Sequence, residues 1–322
     1  MTVLVDDSVS FLHSLRFQLG AALPSTTFSD ASAALAWLRD HSREGSELDS
    51  FLSPCIDTYT HEPQPFSVAL QVGQLSRIAR RARRFMTPSA LVIDYSMPQM
   101  NGIEFCEAVK NLPCKKILLT GVADEKVAIA AFNRGLIDRY IRKSDPDALD
   151  RLEADIIALQ REYFLAQSRV VHGLLSLHEY SFVGDPAIAA LVDQVAHAYQ
   201  IVEYYLYKSP SGFLMFDAEG RPHLLAIETE HGMQAHYEMA CDSGAPPALL
   251  DALRERRVIP NFSGGDGMYS PAFDQGWYNH TAPAQECRGR ERYYWAMFDL
   301  DPALLDGPVA PLSAFLRQHQ AS

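Results

Sequence analysis

The stretch ALVIDYSMPQMNG, residues 90–102, decides the fold of the first half of the chain. A short apolar run ends on the carboxylate of Asp94, and apolar residues then return at helical spacing over 102–110. Working outward, the same rhythm repeats. Strand candidates lie at 2–5, 26–28, 116–120 and 139–142, and helical patterns at 9–19, 31–39 and 125–133. Short apolar strands alternating with helices make a parallel sheet covered on both faces. The expectation is an α/β, doubly wound domain with five strands.

In an open sheet of this kind, ligands collect beyond the carboxyl ends of the strands. The residues found there are Asp6 and Asp7 after the first strand, Asp94 after the third, Thr120 after the fourth and Lys143 after the fifth. Three carboxylates at one edge repel one another unless a divalent cation lies between them. An all-oxygen shell that keeps several waters is the kind magnesium prefers. One carboxylate can then act as a nucleophile toward a phosphoryl group whose charge the metal and the lysine neutralise, and a hydroxyl can hydrogen-bond the product.

These residues resemble the receiver domains of bacterial two-component response regulators, over residues 1 to about 160. VLVDDS (3–8) is similar to the family's first strand with its acidic pair, and DYSMPQMNGIEF (94–105) to its phosphoacceptor segment. ILLTG (117–121) and GLIDRYIRK (135–143) are similar to its switch and lysine segments. The resemblance implies the strand order 2-1-3-4-5 of the chemotaxis-regulator, flavodoxin-like type. It also implies a residue-by-residue assignment. Asp94 takes the phosphoryl group from a sensor histidine kinase or phosphotransfer protein. Asp7, Asp94 and the backbone carbonyl of Ser96 bind Mg2+, with Asp6 acting through water. Lys143 is the family's lysine, and Thr120 and Tyr140 are the switch pair. Two departures stand out: an unusually long separation between Asp7 and Asp94, and Ser144 where the family usually has proline.

That separation comes from residues 41–88, rich in Ser, Pro and His, which read as an insertion on the surface of a 1–147 receiver. The insertion ends in Arg77, Arg80, Arg81, Arg83 and Arg84. At helical spacing these form an anion-binding face, a partner-docking strip or a solvated face pairing with acidic neighbours. From 148 to 180 the pattern is one long linker helix whose apolar positions, Leu149, Leu152, Ile156, Leu159, Tyr163, Ala166, Val170 and Leu177, keep a heptad rhythm. It would extend about 45 Å. Homodimerisation through the 147–177 helix is the preferred reading, and coverage of the stripe by the second domain is the alternative.

Residues 181–322 read as a smaller α+β output domain. Asp185-Pro186 opens a helix running toward Tyr207, a hairpin spans 213–217 and 223–229, and further elements fall at 246–257, 293–300 and 311–318. The output-domain site is unknown from sequence. Glu228, Glu230, His231 and His236 cluster, but the five-residue spacing of the histidines is wrong for two ligands on one helix face. The glycine-rich run 261–267 lacks the strand-to-helix context of a nucleotide cradle and reads as a surface loop. The aromatic runs at 204–205 and 293–295 read as core. The whole arrangement is similar to response regulators found beside quorum-sensing kinases in some Gram-negative bacteria, a likeness that supplies no output activity.

With 28 basic against 40 acidic residues and a formal charge of -12 over 322 residues, the chain lacks the basic surface that displaces counterions from nucleic acid. A DNA-binding role is therefore disfavoured. No segment reads as a leader or a membrane span, so a cytoplasmic protein is expected. Cys55, Cys106, Cys114, Cys241 and Cys287 are odd in number and never form Cys-x-x-Cys, against a zinc or disulfide framework. The leading function is therefore phosphorelay signalling through a non-DNA-binding output domain, without a separate enzyme activity. The alternative is an enzyme in the C-terminal domain gated by the receiver.

Overall fold

The computed structural model describes residues 1–20, 23–42, 52–56, 63–70, 75–121, 125–175, 180–262, 267–305 and 307–320. Two compact units result, Met1–Ser50 with Arg83–Val170, and Phe51–Ala82 with Val171–Ser322.

The first unit runs β1 (Thr2–Val5), α1 (Val9–Leu19), β2 (Ser25–Phe28) and α2 (Ala31–Ser42). A hairpin, β3 (Leu52–Ile56) and β4 (Pro63–Leu70), follows in sequence and falls in the second unit. The first unit resumes with β5 (Ala90–Asp94), α3 (Gly102–Ala108), β6 (Lys115–Thr120), α4 (Glu125–Asn133), β7 (Arg139–Arg142) and α5 (Ala148–Leu175), which runs past the unit's last residue, Val170. Its sheet is wholly parallel with order β2-β1-β5-β6-β7, which is 2-1-3-4-5 counted within the sheet.

Strand alternation sorts the core into two layers. Val3, Val5, Leu91, Ile93 and Leu118 point to one face and pack with α2, α3 and α4 through Leu38, Phe105 and Ala128. Leu4, Val92, Ile117 and Leu119 point to the other, against Leu12, Leu15 and Leu19 of α1 and Leu152, Ile156 and Leu159 of α5. Both helices that flank the strand ends are capped by side chains. Ser8 Oγ accepts from Phe11 N, and Asn101 and Glu104 form a reciprocal capping box at α3.

The long helix departs from the sequence reading. Leu152, Ile156, Leu159 and Tyr163 are buried, the first three in the receiver's own core. That part of the heptad stripe covers the sheet of the same domain and is not a free dimer seam. A stripe of this period fits a flat sheet as well as a second helix. Leu149 and Ala166 are exposed, the side chain of Val170 is not described, and Leu177 lies outside the described residues.

The segment before β5 also differs from expectation. It is not simply a surface insertion of the receiver, because Leu75 joins the buried cluster of Tyr180, Phe182, Leu206 and Phe213, and Ala79 joins that of Leu214 and Phe216. Ala310 N also donates to Ala79 O at 3.0 Å. The arginines do not share one α-helical face. Arg77 and Arg80 lie on a 3-10 turn (Ser76–Arg80), Arg81 is extended, and Arg83 and Arg84 lie on a second turn (Ala82–Met86).

In the second unit, α6 (Pro186–Ala198) is followed by β8 (Ile201–Tyr207), β9 (Gly212–Asp217) and β10 (Pro222–Thr229). Next come α7 (Glu230–Asp242), α8 (Pro247–Arg254), β11 (Val258–Pro260), β12 (Thr281–Pro283), β13 (Gln285–Arg288), β14 (Arg292–Asp299) and α9 (Leu312–Gln320). The sheet β13-β14-β10-β9-β8 is antiparallel, so the expected α+β class holds. The expected helix toward Tyr207 stops at Ala198. Gln200 takes a positive φ of 53°, and the β-branched and aromatic run 201–207 pairs as a strand.

One carboxylate organises this unit's core. Buried Asp185 accepts from Ala187 N (2.9 Å), Arg290 N (2.6 Å) and Tyr293 Oη (3.0 Å). Burial works against its charge, but these hydrogen bonds outweigh it and hold the carboxyl below its ordinary range.

Candidate phosphoacceptor site

The parallel register brings the strand ends level. Val5 lies beside Ile93, Asp94 beside Leu119, and Thr120 beside Arg142. Residues just beyond these positions therefore share one edge. Carboxylate oxygens of Asp6, Asp7 and Asp94 come within 4.8 Å of one another, with Asp6 and Asp94 buried and Asp7 exposed.

Lys143 Nζ sits 2.6 Å from Asp6 Oδ2 and 2.8 Å from Asp94 Oδ1. Burial penalises the ammonium, yet its bonds to Asp6 and Asp94 prevail and keep its pKa above the ordinary 10.5. The other oxygens of the two aspartates are held by backbone. Ser8 N donates to Asp6 Oδ1 at 2.8 Å, and Ser96 N to Asp94 Oδ2 at 3.0 Å. Both carboxylates are thus oriented by the loops that follow their strands.

Thr120 is fully buried, and among the described residues nothing hydrogen-bonds its Oγ1. An orphaned hydroxyl is costly in a folded interior. Its position at the end of β6 is suited to an acceptor oxygen arriving from outside the chain. Tyr140, half-buried on β7, lines a cleft of about 330 Å³ with Phe132, Arg139, Arg142, Asp145 and Arg151.

The backbone near Asp94 is tightly pressed. Gly102 N donates to Tyr95 O at 2.9 Å, and a Cβ on Gly102 would stand 2.5 Å from Asp94 O and 2.7 Å from Leu118 Cδ1. Glycine there lets α3 begin against the loop that follows Asp94.

The donor set fits a hard divalent cation. Three all-oxygen carboxylates converge on an edge where Asp7 remains open to solvent, as a partly hydrated ion requires. Asp6, Asp7, Asp94 and Lys143 are brought together, and Thr120 follows Leu119, the register partner of Asp94. Ser96 enters through its amide. Sequence reasoning missed Phe11, whose ring centroid lies 4.3 Å from Lys143 Nζ. Its signal was an aromatic residue one turn into the helix that follows the acidic pair.

In the second unit the suspected cluster only partly converges. His236 Nε2 lies 3.3 Å from Glu228 Oε1, both buried. Glu230 instead accepts from Tyr294 Oη at 2.8 Å and from Arg256 Nε at 2.9 Å, and His231 is exposed. Residues 263–266 of the glycine-rich run lie outside the described residues.

A parallel five-stranded sheet of this order, with an acidic pocket, a lysine and a buried threonine at its carboxyl edge, defines a receiver domain, and the chain belongs to the response regulators. Residues 64–153 match the family model of the response regulator receiver domain. The chain is similar to the Legionella pneumophila response regulator LqsR. The TM-score is 0.76 at 31% identity, covering 98% of this chain and 93% of that one. It is also 33% identical over 76 residues to the cyclic di-GMP phosphodiesterase response regulator RpfG of Xanthomonas campestris pv. campestris. That match covers 22% of this chain and spans 20% of RpfG. Among the described residues no helix is long and apolar enough to cross a membrane.

Proposed function

We propose that this response regulator is phosphorylated on Asp94 by a histidine kinase or phosphotransfer protein and signals through residues 181–322 as its output domain. The observation that carries the reading is the Lys143 ammonium bridging Asp6 and Asp94, and the unpartnered Thr120 hydroxyl at the end of β6 supports it. Asp7, Asp94 and the Ser96 carbonyl would hold Mg2+, with Asp6 contributing through water. Bound there, the ion would neutralise charge on the transferred oxygens.

The chain's own groups have the following tasks. An Asp94 carboxylate oxygen attacks phosphorus, forming an acyl phosphate. The P–N bond to the donor histidine breaks, and its electron pair leaves with the imidazole. Lys143 exchanges a carboxylate contact for a phosphoryl oxygen. Thr120 Oγ1 gains its missing acceptor, and Tyr140 responds at the adjoining strand. A two-state receiver is thereby biased. The protein would work in the cytoplasm, where such donors reside.

The test is incubation with Mg2+ and acetyl phosphate, followed by intact mass. A single metal-dependent phosphoryl adduct in wild type, lost in Asp94→Asn, supports the reading. An adduct retained in Asp94→Asn rejects it.

A further inference from the structure

We propose that Phe11 is a positioning residue for phosphoryl transfer, holding the Lys143 ammonium over the acidic pocket through its ring face. This rests on the reading of Asp94 as phosphoacceptor.

The contacts form a closed circuit. Asp6 Oδ1 accepts from Ser8 N at 2.8 Å, Ser8 Oγ accepts from Phe11 N at 3.3 Å, and the Phe11 ring lies 4.3 Å from Lys143 Nζ. The same ammonium donates to Asp6 Oδ2 at 2.6 Å. The ring is itself fixed, since α1 is pinned to the sheet by Leu12, Leu15 and Leu19.

Lys143 needs such a support. Its side chain is 31% exposed, and a lysine is a strongly hydrated point charge on a flexible four-carbon stem. When a phosphoryl group arrives, the ammonium must release one carboxylate contact and take another acceptor. During that exchange its hydrogen bonds are broken and remade. Attraction to an aromatic face depends on the quadrupole of the ring and not on any one N–H direction. The ring therefore retains the cation while its acceptors change. A leucine would fill much of the space and preserve the helix, but it offers the ammonium no negative face.

The expected effect lies on the chemical step. Phe11→Leu should lower the limiting rate of adduct formation from acetyl phosphate about tenfold. The donor and Mg2+ concentrations giving half-maximal rate should stay unchanged. Phe11→Tyr, which keeps the ring, should stay within about twofold of wild type. In a Lys143→Met background, Phe11→Leu should add nothing further, because the two residues act as one unit.

The experiment is a time course of phosphoryl adduct by intact mass for wild type and these variants at saturating Mg2+, with thermal unfolding recorded alongside. Slow Phe11→Leu, normal Phe11→Tyr and non-additivity with Lys143→Met establish the role. A wild-type rate in Phe11→Leu, an equal loss in Phe11→Tyr, or full additivity with Lys143→Met overturns it while leaving the Asp94 reading intact. Absence of any adduct on Asp94 in wild type overturns both.

Discussion

Lys143 Nζ lies 2.8 Å from Asp94 Oδ1, joining the ends of two strands that are not neighbours in the sheet. The contact places an ammonium on the proposed nucleophilic carboxylate before any phosphoryl group is present. Replacing it by Lys143→Met should slow adduct formation by roughly a hundredfold or more, the usual effect of deleting a charge-stabilising donor. The check is the initial rate with acetyl phosphate. A rate near wild type would remove Lys143 from the mechanism.

The orphaned Thr120 hydroxyl makes a stability prediction of unusual sign. Because Oγ1 is fully buried without a partner among the described residues, Thr120→Val should stabilise the donor-free protein by about 1 kcal/mol. The urea midpoint would rise at unchanged slope. Phosphoryl-dependent stabilisation should shrink in the same variant. A destabilised donor-free variant would mean that the hydroxyl has a partner after all.

Gly102→Ala should destabilise the receiver by about 2 kcal/mol. The added methyl meets the carbonyl of Asp94 and the side chain of Leu118, and the carbonyl cannot withdraw without moving the end of β5. Thermal unfolding measures the loss, and phosphorylation should slow in parallel because the moved backbone carries Asp94.

In the second unit, Leu75→Ala should cost about 3 kcal/mol, the usual range for emptying a buried leucine site. Unfolding of the full chain by urea provides the test. A change near zero would put Leu75 back on the surface.

Asp185 should make the stability of the second unit acid-sensitive. Its folded pKa is depressed below the ordinary 3.8, so its stabilisation is present above that value and is lost as pH falls through the lower folded value. Asp185→Asn should therefore be less stable near neutrality by about 2 kcal/mol, with the gap closing in strong acid. Urea midpoints at both extremes measure it. A gap that stayed constant would show that the charge is not what matters.

Much of the receiver was legible because its chemistry is local. Asp6, Asp94, Thr120 and Lys143 each end or follow a short apolar strand, and parallel register does the rest. The heptad of α5 was assigned to a dimer seam although its Leu152, Ile156 and Leu159 pack in the receiver's own core, because these leucines and isoleucine carry no mark that distinguishes a sheet from a second helix. Leu75 and Ala79 were misplaced for a related reason. They are distant in sequence from the strands they join, and periodicity says nothing of such long-range partners. Strand β8 was read as helix because nothing in the sequence announced the left-handed turn at Gln200. Phe11 was overlooked because a lone aromatic in an amphipathic helix is indistinguishable from core until the lysine beside it is seen.

The most direct test of the central claim is to locate the modification. The protein would be treated with acetyl phosphate and Mg2+, reduced with borohydride, which converts an aspartyl phosphate to homoserine, and mapped by peptide mass spectrometry. Phosphorylation on Asp94 predicts homoserine at position 94 alone, and only in donor-treated protein. Homoserine at another aspartate, or none in a folded sample, would contradict it.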